Sequence, residues 1–424
     1  MDANPPITSR SDLMSLLTEA CELEHGLACS YLYSAFTMKQ SVYESDLTWQ
    51  QFQFTRKWAG QLYFIASQEM LHLSQVWNLL TAIGGTPYYM RPNFPQSHKY
   101  YPIGLPLKLE PFSRKALKRF TFYELPSVVS DVEFLEKEFG IKSEKVNKAF
   151  TVGKLYQQIK NAFSGIPEKE LFIGNPALQV GPGVGQFNEL VRVSGRSSAD
   201  AGIHTIMEQG EGNPKDEVDC HYGLYVKIDI EYDQLEKEAR EAGNPFRPSR
   251  NTIDNPISSL QKNIGPSQAN PITDPFTDQV AVFFDNVYSL MLRMLQYVFQ
   301  SGPLPDSMQA QLADMAIQLM TRSLKPIGEA LTLLPAAVDN RYEGKTAGPC
   351  FGLYRHVSLP ADPGAALAVM RDRFVELIES GKRLALNKKA PQPLVDGIAK
   401  LESIASPILK RPAPSAGKKT NALP

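Results

Sequence analysis

Cysteine is scarce in this sequence: Cys21, Cys29, Cys220 and Cys350 are the only four in 424 residues, and no two form a Cys-x-x-Cys pair. That scarcity excludes a disulfide framework and a zinc ribbon, and reduced thiols fit a cytoplasmic protein. Long apolar runs are missing too. Nothing approaches the ~20 apolar residues of a membrane span. Met1 to Ser11 is polar, contains proline and lacks the apolar stretch of a secretory signal. Neither sign of charge prevails: 44 basic against 45 acidic residues leave a formal net charge of -1. No broad electrostatic ground exists for binding nucleic acid or anionic lipid. Two basic stretches do not alter this. Arg114 to Arg119 alternates with apolar residues like a solvated helix face, and Lys410 to Lys419 sits in a Pro/Ala/Ser/Lys tail. Strand signals are weak, and no internal repeat with a period of roughly 20–50 residues is visible.

What the sequence has is helical periodicity. From Leu13 to Lys39, Leu13, Leu17, Ala20, Leu27 and Tyr31 recur at three- and four-residue steps, marking one buried stripe that Ser11 or Asp12 can cap. A second stripe runs through Trp58, Leu62, Ile65, Val76, Leu79 and Ile83 and ends at Gly84-Gly85 before Pro87. Further helices are expected at Ser113 to Glu124, Ser143–Phe163, Ser198–Glu211 and Val218–Ala242. A Pro/Asn/Ser stretch from Asn244 to Pro275 separates these from a second helical group, Val280–Phe299, Asp306–Leu334, Ala365–Leu386 and Leu394–Ile404. The expected fold class is all-α: a bundle over 1–243, a helical extension packed on it over 244–410, and a disordered tail over 411–424.

Charged residues stand where these stripes should be apolar. In the first, the inward position between Ala20 and Leu27 is Glu24; in the second, Ile65 is followed by Glu69 and His72 before Val76 resumes. A buried carboxylate is costly unless it is paired or bound to a cation. Residues three apart share a helix face, so Glu69 and His72 can reach one ion. The competing readings of Glu69-Met70-Leu71-His72 are a surface hydrogen bond and a buried pair without metal. Glu24, on the same phase of the preceding helix, favours ligation. Helical bundles that bind two metals draw single glutamates from two helices and Glu-x-x-His pairs from the other two. Glu124 is either another such glutamate or a solvated residue at a helix end. Glu211 and His221 could form an interrupted Glu/His pair, with His204 and Glu208 as an alternative on the same face. Glu22 and His25 point away from the stripe and read as ordinary polar residues. Tyr31, Tyr33 and Trp77 lie near the candidate site in sequence, where aromatic residues are more often core than electron relays.

These residues resemble a known family. Leu23-Glu24-His25 with Tyr31-Leu32-Tyr33, Gln68-Glu69-Met70-Leu71-His72-Leu73, and Asn78 through Pro87 look like the ferritin-like domain of iminophenylpyruvate dimer synthases. The likeness continues through Phe120 to Pro126, Glu208 to Gly212 with Cys220-His221-Tyr222, and more loosely Gly344 to Pro349. It implies a ferritin-like four-helix bundle and a ligand set of Glu24, Glu69, His72, Glu124, Glu211 and His221. The dimerisation chemistry of the family belongs to large multidomain enzymes, whereas this chain matches the ferritin-like part and a helical extension.

Four carboxylates and two imidazoles match two divalent ions, iron in preference to manganese, and are too oxygen-rich for a closed structural zinc site. The expected activity is an oxidase or oxygenase that uses dioxygen on a small, amino-acid-derived metabolite of secondary metabolism. Against it stand a bundle in which metal only ties helices together and a metal-free, partner-binding protein. Assembly is left open, a homodimer included.

Overall fold

The computed structural model describes residues 7–44, 47–97, 105–126, 137, 139, 151–184, 188–210, 220–261, 268–300 and 305–410. Glu211 and the tail 411–424 lie outside the described residues. The fold is all-α, its only strands being the two-residue parallel pair Pro256–Ile257 and Asn270–Pro271 among the described residues. No described helix is long and apolar enough to cross a membrane.

Two long helices form one side of the bundle. α1 (Arg10–Thr37) starts at Ser9, whose side chain accepts from the Asp12 N–H. The cap therefore lies upstream of Ser11 and Asp12, because Ser9 is the last residue with extended backbone. α2 (Trp49–Ala82) opens with a reciprocal capping box between Thr48 and Gln51. It ends as the glycine pair foretells: Gly84 takes φ +86°, a left-handed conformation that only glycine adopts freely.

The other side is made of shorter helices: α3 (Arg114–Tyr123), α4 (Val152–Gly165), α5 (Arg196–Gly210) and α6 (His221–Glu241). α3 packs on α6 and α4 on α5. The ends of these four helices meet at one level. Glu124 is the C-cap of α3, Cys220 the N-cap of α6, and Val152, Gly153 and Gly210 line one small cavity.

After residue 274 come α7 (Pro275–Gln300), α8 (Asp306–Gln318), α9 (Lys325–Leu331), α10 (Pro363–Ala385) and α11 (Gln392–Leu409). The single helix expected over Asp306–Leu334 is split by a π-helical segment, Leu319–Leu324. Pro326, just beyond it, cannot donate to the helical ladder. The Pro/Asn/Ser stretch between the two helical groups is packed. Thr252, Asn255 and Ser258 are buried, and its N–H groups find carbonyls on distant segments: Arg250 on Thr37, Ile253 on Thr346 and Asn255 on Leu109. Composition marks loops by what they lack, yet a loop whose backbone finds partners can be packed. One continuous apolar core runs from Leu13 to Ile408.

Candidate metal centre

α1 supplies Glu24, α2 supplies Glu69 and His72, the end of α3 supplies Glu124, and the first residue of α6 is His221. None of the five is more than 4% exposed. Glu124 occupies the worst place for a carboxylate, being buried and at the negative end of a helix. Its neighbours must offset both penalties.

Glu69 stands at the middle. Its Oε2 lies 3.1 Å from His72 Nδ1 and its Oε1 3.1 Å from His221 Nδ1. Glu24 Oε2 approaches His72 Nδ1 to 3.5 Å, and Glu124 Oε2 approaches His221 Nδ1 to 3.5 Å. The result is two triads that share Glu69: Glu24, Glu69 and His72 on one side, Glu69, Glu124 and His221 on the other. Each brings three potential ligand atoms within 4.8 Å of one another. Glu69 Oε1 and His221 Nδ1 are wholly buried, and although they lie 3.1 Å apart their mutual geometry falls short of a well-aligned hydrogen bond. Buried polar atoms are rarely left so. A cation on each side would satisfy them, and mixed carboxylate and imidazole donors suit iron or manganese.

The outward-facing atoms are already engaged. Tyr31 donates its hydroxyl to Glu124 Oε1, and Tyr156 of α4 donates to Glu24 Oε1. His72 Nε2 faces Gln209 Oε1 at 2.9 Å, and His221 Nε2 faces Gln68 Oε1 at 3.0 Å. The Gln209 amide nitrogen donates to Glu189, which leaves its oxygen as acceptor. His72 Nε2 then carries a proton, so a cation that displaced the Nδ1 proton would meet the Nδ1 lone pair. Such outer partners fix ring orientation and tautomer. Gln209→Leu should therefore weaken metal binding about 10- to 100-fold. A chelator-competition titration measures this, and wild-type affinity would remove Gln209 from that role.

With protons alone to neutralise it, the cluster is strongly perturbed. Burial, then the Glu69 carboxylate, pushes Glu24 up to about 8. Burial pulls His221 down, but Glu69 and Glu124 outweigh it and hold the ring at about 9. His72 is likewise raised against burial, by Glu24 and Glu69. Burial and Glu124 push Glu69 upward, yet its two histidines bring it below the ordinary value. Protons and cations would compete for this cage, so metal uptake would release protons.

The cavity at the centre measures about 20 Å³, and the cluster's carboxylates and His72 line it together with Leu27, Leu125, Val152, Ile206 and Met207. That is the scale of one water or one diatomic molecule.

Five of the six residues expected from sequence thus come together, and the sixth, Glu211, lies outside the described residues. His204 and Glu208 face solvent, with side chains 68% and 59% exposed, and take no part. Tyr33 bonds the Ile253 carbonyl and Trp77 the Tyr88 carbonyl, both away from the cluster. Sequence reasoning missed Gln68, Gln209 and Tyr156. Gln68 precedes Glu69, but nothing in the periodicity of α4 or α5 singles out the other two. His25, read as an ordinary polar residue, is 4% exposed. Its Nδ1 bonds the Tyr89 carbonyl at 2.7 Å and its Nε2 the Tyr288 hydroxyl of α7. The helices after residue 274 cover a second face of α1, which a one-stripe reading takes for solvent.

Residues 17–230 match the model of the ferritin-like family, and the chain belongs to that family. Two characterised relatives share its sequence. Dichlorochromopyrrolate synthase of Lentzea aerocolonigenes is 24% identical over 90% of this chain. The 2-imino-3-(indol-3-yl)propanoate dimerase of Chromobacterium violaceum is 27% identical over 82% of it. The matches span 40% and 35% of those relatives' own length. Among solved structures, a ferritin-like protein from Caulobacter vibrioides is 16% identical, with a TM-score of 0.44. That match covers 74% of this chain and 96% of the other.

Proposed function

We propose that the chain is a non-haem di-metal carboxylate oxidase or oxygenase, with iron as the metal and manganese as the alternative. It acts on a small, amino-acid-derived molecule. The observation that carries this reading is Glu69, whose two oxygens face two different histidines, with one further carboxylate beside each. Glu24 and Glu124 would each serve one ion and Glu69 both. Three carboxylates leave two divalent ions with one positive charge in excess, which Glu211 would balance. Such a pair of ions, when bound, supplies the reduction of dioxygen.

The protein's own part is positioning and exclusion of water. The two glutamines set the imidazole tautomers, and the tyrosines hold the outer carboxylate oxygens. The apolar side chains of Leu27, Leu125, Val152, Ile206 and Met207 would limit the water that reaches the reacting centre. One relative is named a dichlorochromopyrrolate synthase and the other a dimerase of an indolyl imino acid. This supports a nitrogen-bearing acid with an aromatic side chain as the substrate class.

Mass-spectrometric metal analysis of protein expressed with ample iron should find two ions per chain. Rapid mixing of the ferrous protein with dioxygen should then give a transient visible absorbance, and an aromatic imino acid should hasten its decay. Iron that stays inert to dioxygen would leave only the metal-tied structural bundle, and no bound metal would end both readings.

A further inference from the structure

Three buried tyrosines stand around the candidate centre, and their hydroxyls are used differently. Tyr31, on the helix that bears Glu24, reaches across to Glu124 Oε1; Tyr156, on α4, reaches Glu24 Oε1. Tyr225, one turn after His221, packs its ring 5.3 Å from Tyr31, and its buried hydroxyl lies toward Tyr31 and hydrogen-bonds no carboxylate among the described residues. The carboxylates divide in the same way. Glu24 and Glu124 each commit one oxygen outward to a phenol and turn the other toward a histidine. Glu69 has no phenol and turns both oxygens inward.

A glutamate beside a metal ion can bind through one oxygen or chelate through two. Chelation by Glu24 or Glu124 would need its Oε1 to turn toward the ion, away from the phenol that holds it outward, and would weaken a charge-assisted hydrogen bond in a dry site. We propose that Tyr31 and Tyr156 are positioning residues that hold Glu124 and Glu24 to one-oxygen binding, so that each ion keeps an open position for an incoming small ligand. This rests on the di-metal reading above. The tyrosines sit on the sides away from the histidines, so they set how the carboxylates bind rather than whether they bind. Tyr225 supplies the internal control: a tyrosine in the same neighbourhood that touches no carboxylate.

The test uses the full chain loaded with cobalt(II), with azide as the small ligand. Tyr31→Phe and Tyr156→Phe should each still take up two cobalt ions. Their visible ligand-field bands should lose intensity, as they do when coordination number rises. Azide affinity should fall roughly tenfold, within the range that outer partners of metal ligands command. Tyr225→Phe should match wild type in both. Wild-type bands and azide affinity in the Tyr31 and Tyr156 variants would overturn the proposal. So would loss of cobalt from them, which would make the hydroxyls retention groups instead. Should either variant fail to fold, infrared spectra of the wild-type protein carry the same question. Metal loading should produce carboxylate stretches with the wide splitting of one-oxygen binding, and solely narrow, chelate-type splittings would sink it. If wild-type protein binds no cobalt, it is the di-metal reading that fails.

Discussion

Glu69→Ala should strip both ions from the protein at once and destabilise it by about 3–5 kcal/mol. The reason is that Glu69 belongs to both triads, one oxygen to each. Without it, Glu24 and Glu124 stay buried on opposite sides of a gap, and each side falls to one carboxylate and one imidazole. His72→Ala should behave differently. Glu69, Glu124 and His221 survive intact, so occupancy should fall toward one ion per chain. His204→Ala is the matched surface control: its side chain is 68% exposed, and stability should stay within about 0.5 kcal/mol of wild type. Metal content by mass spectrometry and denaturant unfolding of the iron-loaded proteins measure all three. Two ions bound normally to the Glu69 variant would refute the shared-carboxylate arrangement.

The parts of this centre that were legible in the sequence are those carried by the two long helices. Glu24, Glu69 and His72 interrupt apolar stripes that are otherwise unbroken, and an interruption is visible without knowing what faces it. Glu124 was not decidable that way, because a helix end is half exposed by default. It becomes a core residue only when the ends of α3, α4, α5 and α6 converge. Gln68 and Gln209 are polar residues of intermediate exposure, whose role depends on a histidine more than 130 residues away in the chain. No local pattern encodes such a pairing. Tyr156 hides for the opposite reason: a tyrosine on an apolar phase reads as core, and its one polar atom carries the information. The same blindness explains His25 and the packed stretch after Asn244, since both owe their burial to segments far along the chain. Helix existence followed from periodicity, whereas the Ser9 cap and the π-helical segment before Pro326 turned on single backbone groups.

A second large effect lies outside the centre, at Asp285 in the middle of α7. Asp285 is 0% exposed. Its Oδ1 accepts the Gly352 N–H at 2.8 Å, and its Oδ2 accepts the Tyr354 hydroxyl. Burial pushes its carboxyl up from 3.8 to about 7, although both of these donors and the nearby Arg91 pull the other way. Between those two values the folded chain holds a proton that the unfolded chain has released. Stability from this group is therefore complete below about pH 3.8, declines as pH rises, and is lost by about pH 7. The difference in pKa corresponds to about 4 kcal/mol across that window. Asp285→Asn keeps the shape and removes the titration. Its amide oxygen can still accept from Gly352, and its NH₂ can donate to the Tyr354 oxygen, which is free to turn its own proton to Ser258 at 3.0 Å. The variant should consequently gain stability relative to wild type as pH rises, by up to about 4 kcal/mol at pH 8 less what the lost charge-assisted bonds contributed. Urea unfolding of the metal-loaded proteins at a series of pH values gives this difference directly, and the titrations of the metal centre cancel because both proteins share them. A difference that stays constant from pH 4 to pH 8 would show that Asp285 is ionised throughout, held by its donors and by Arg91 against the cost of its burial.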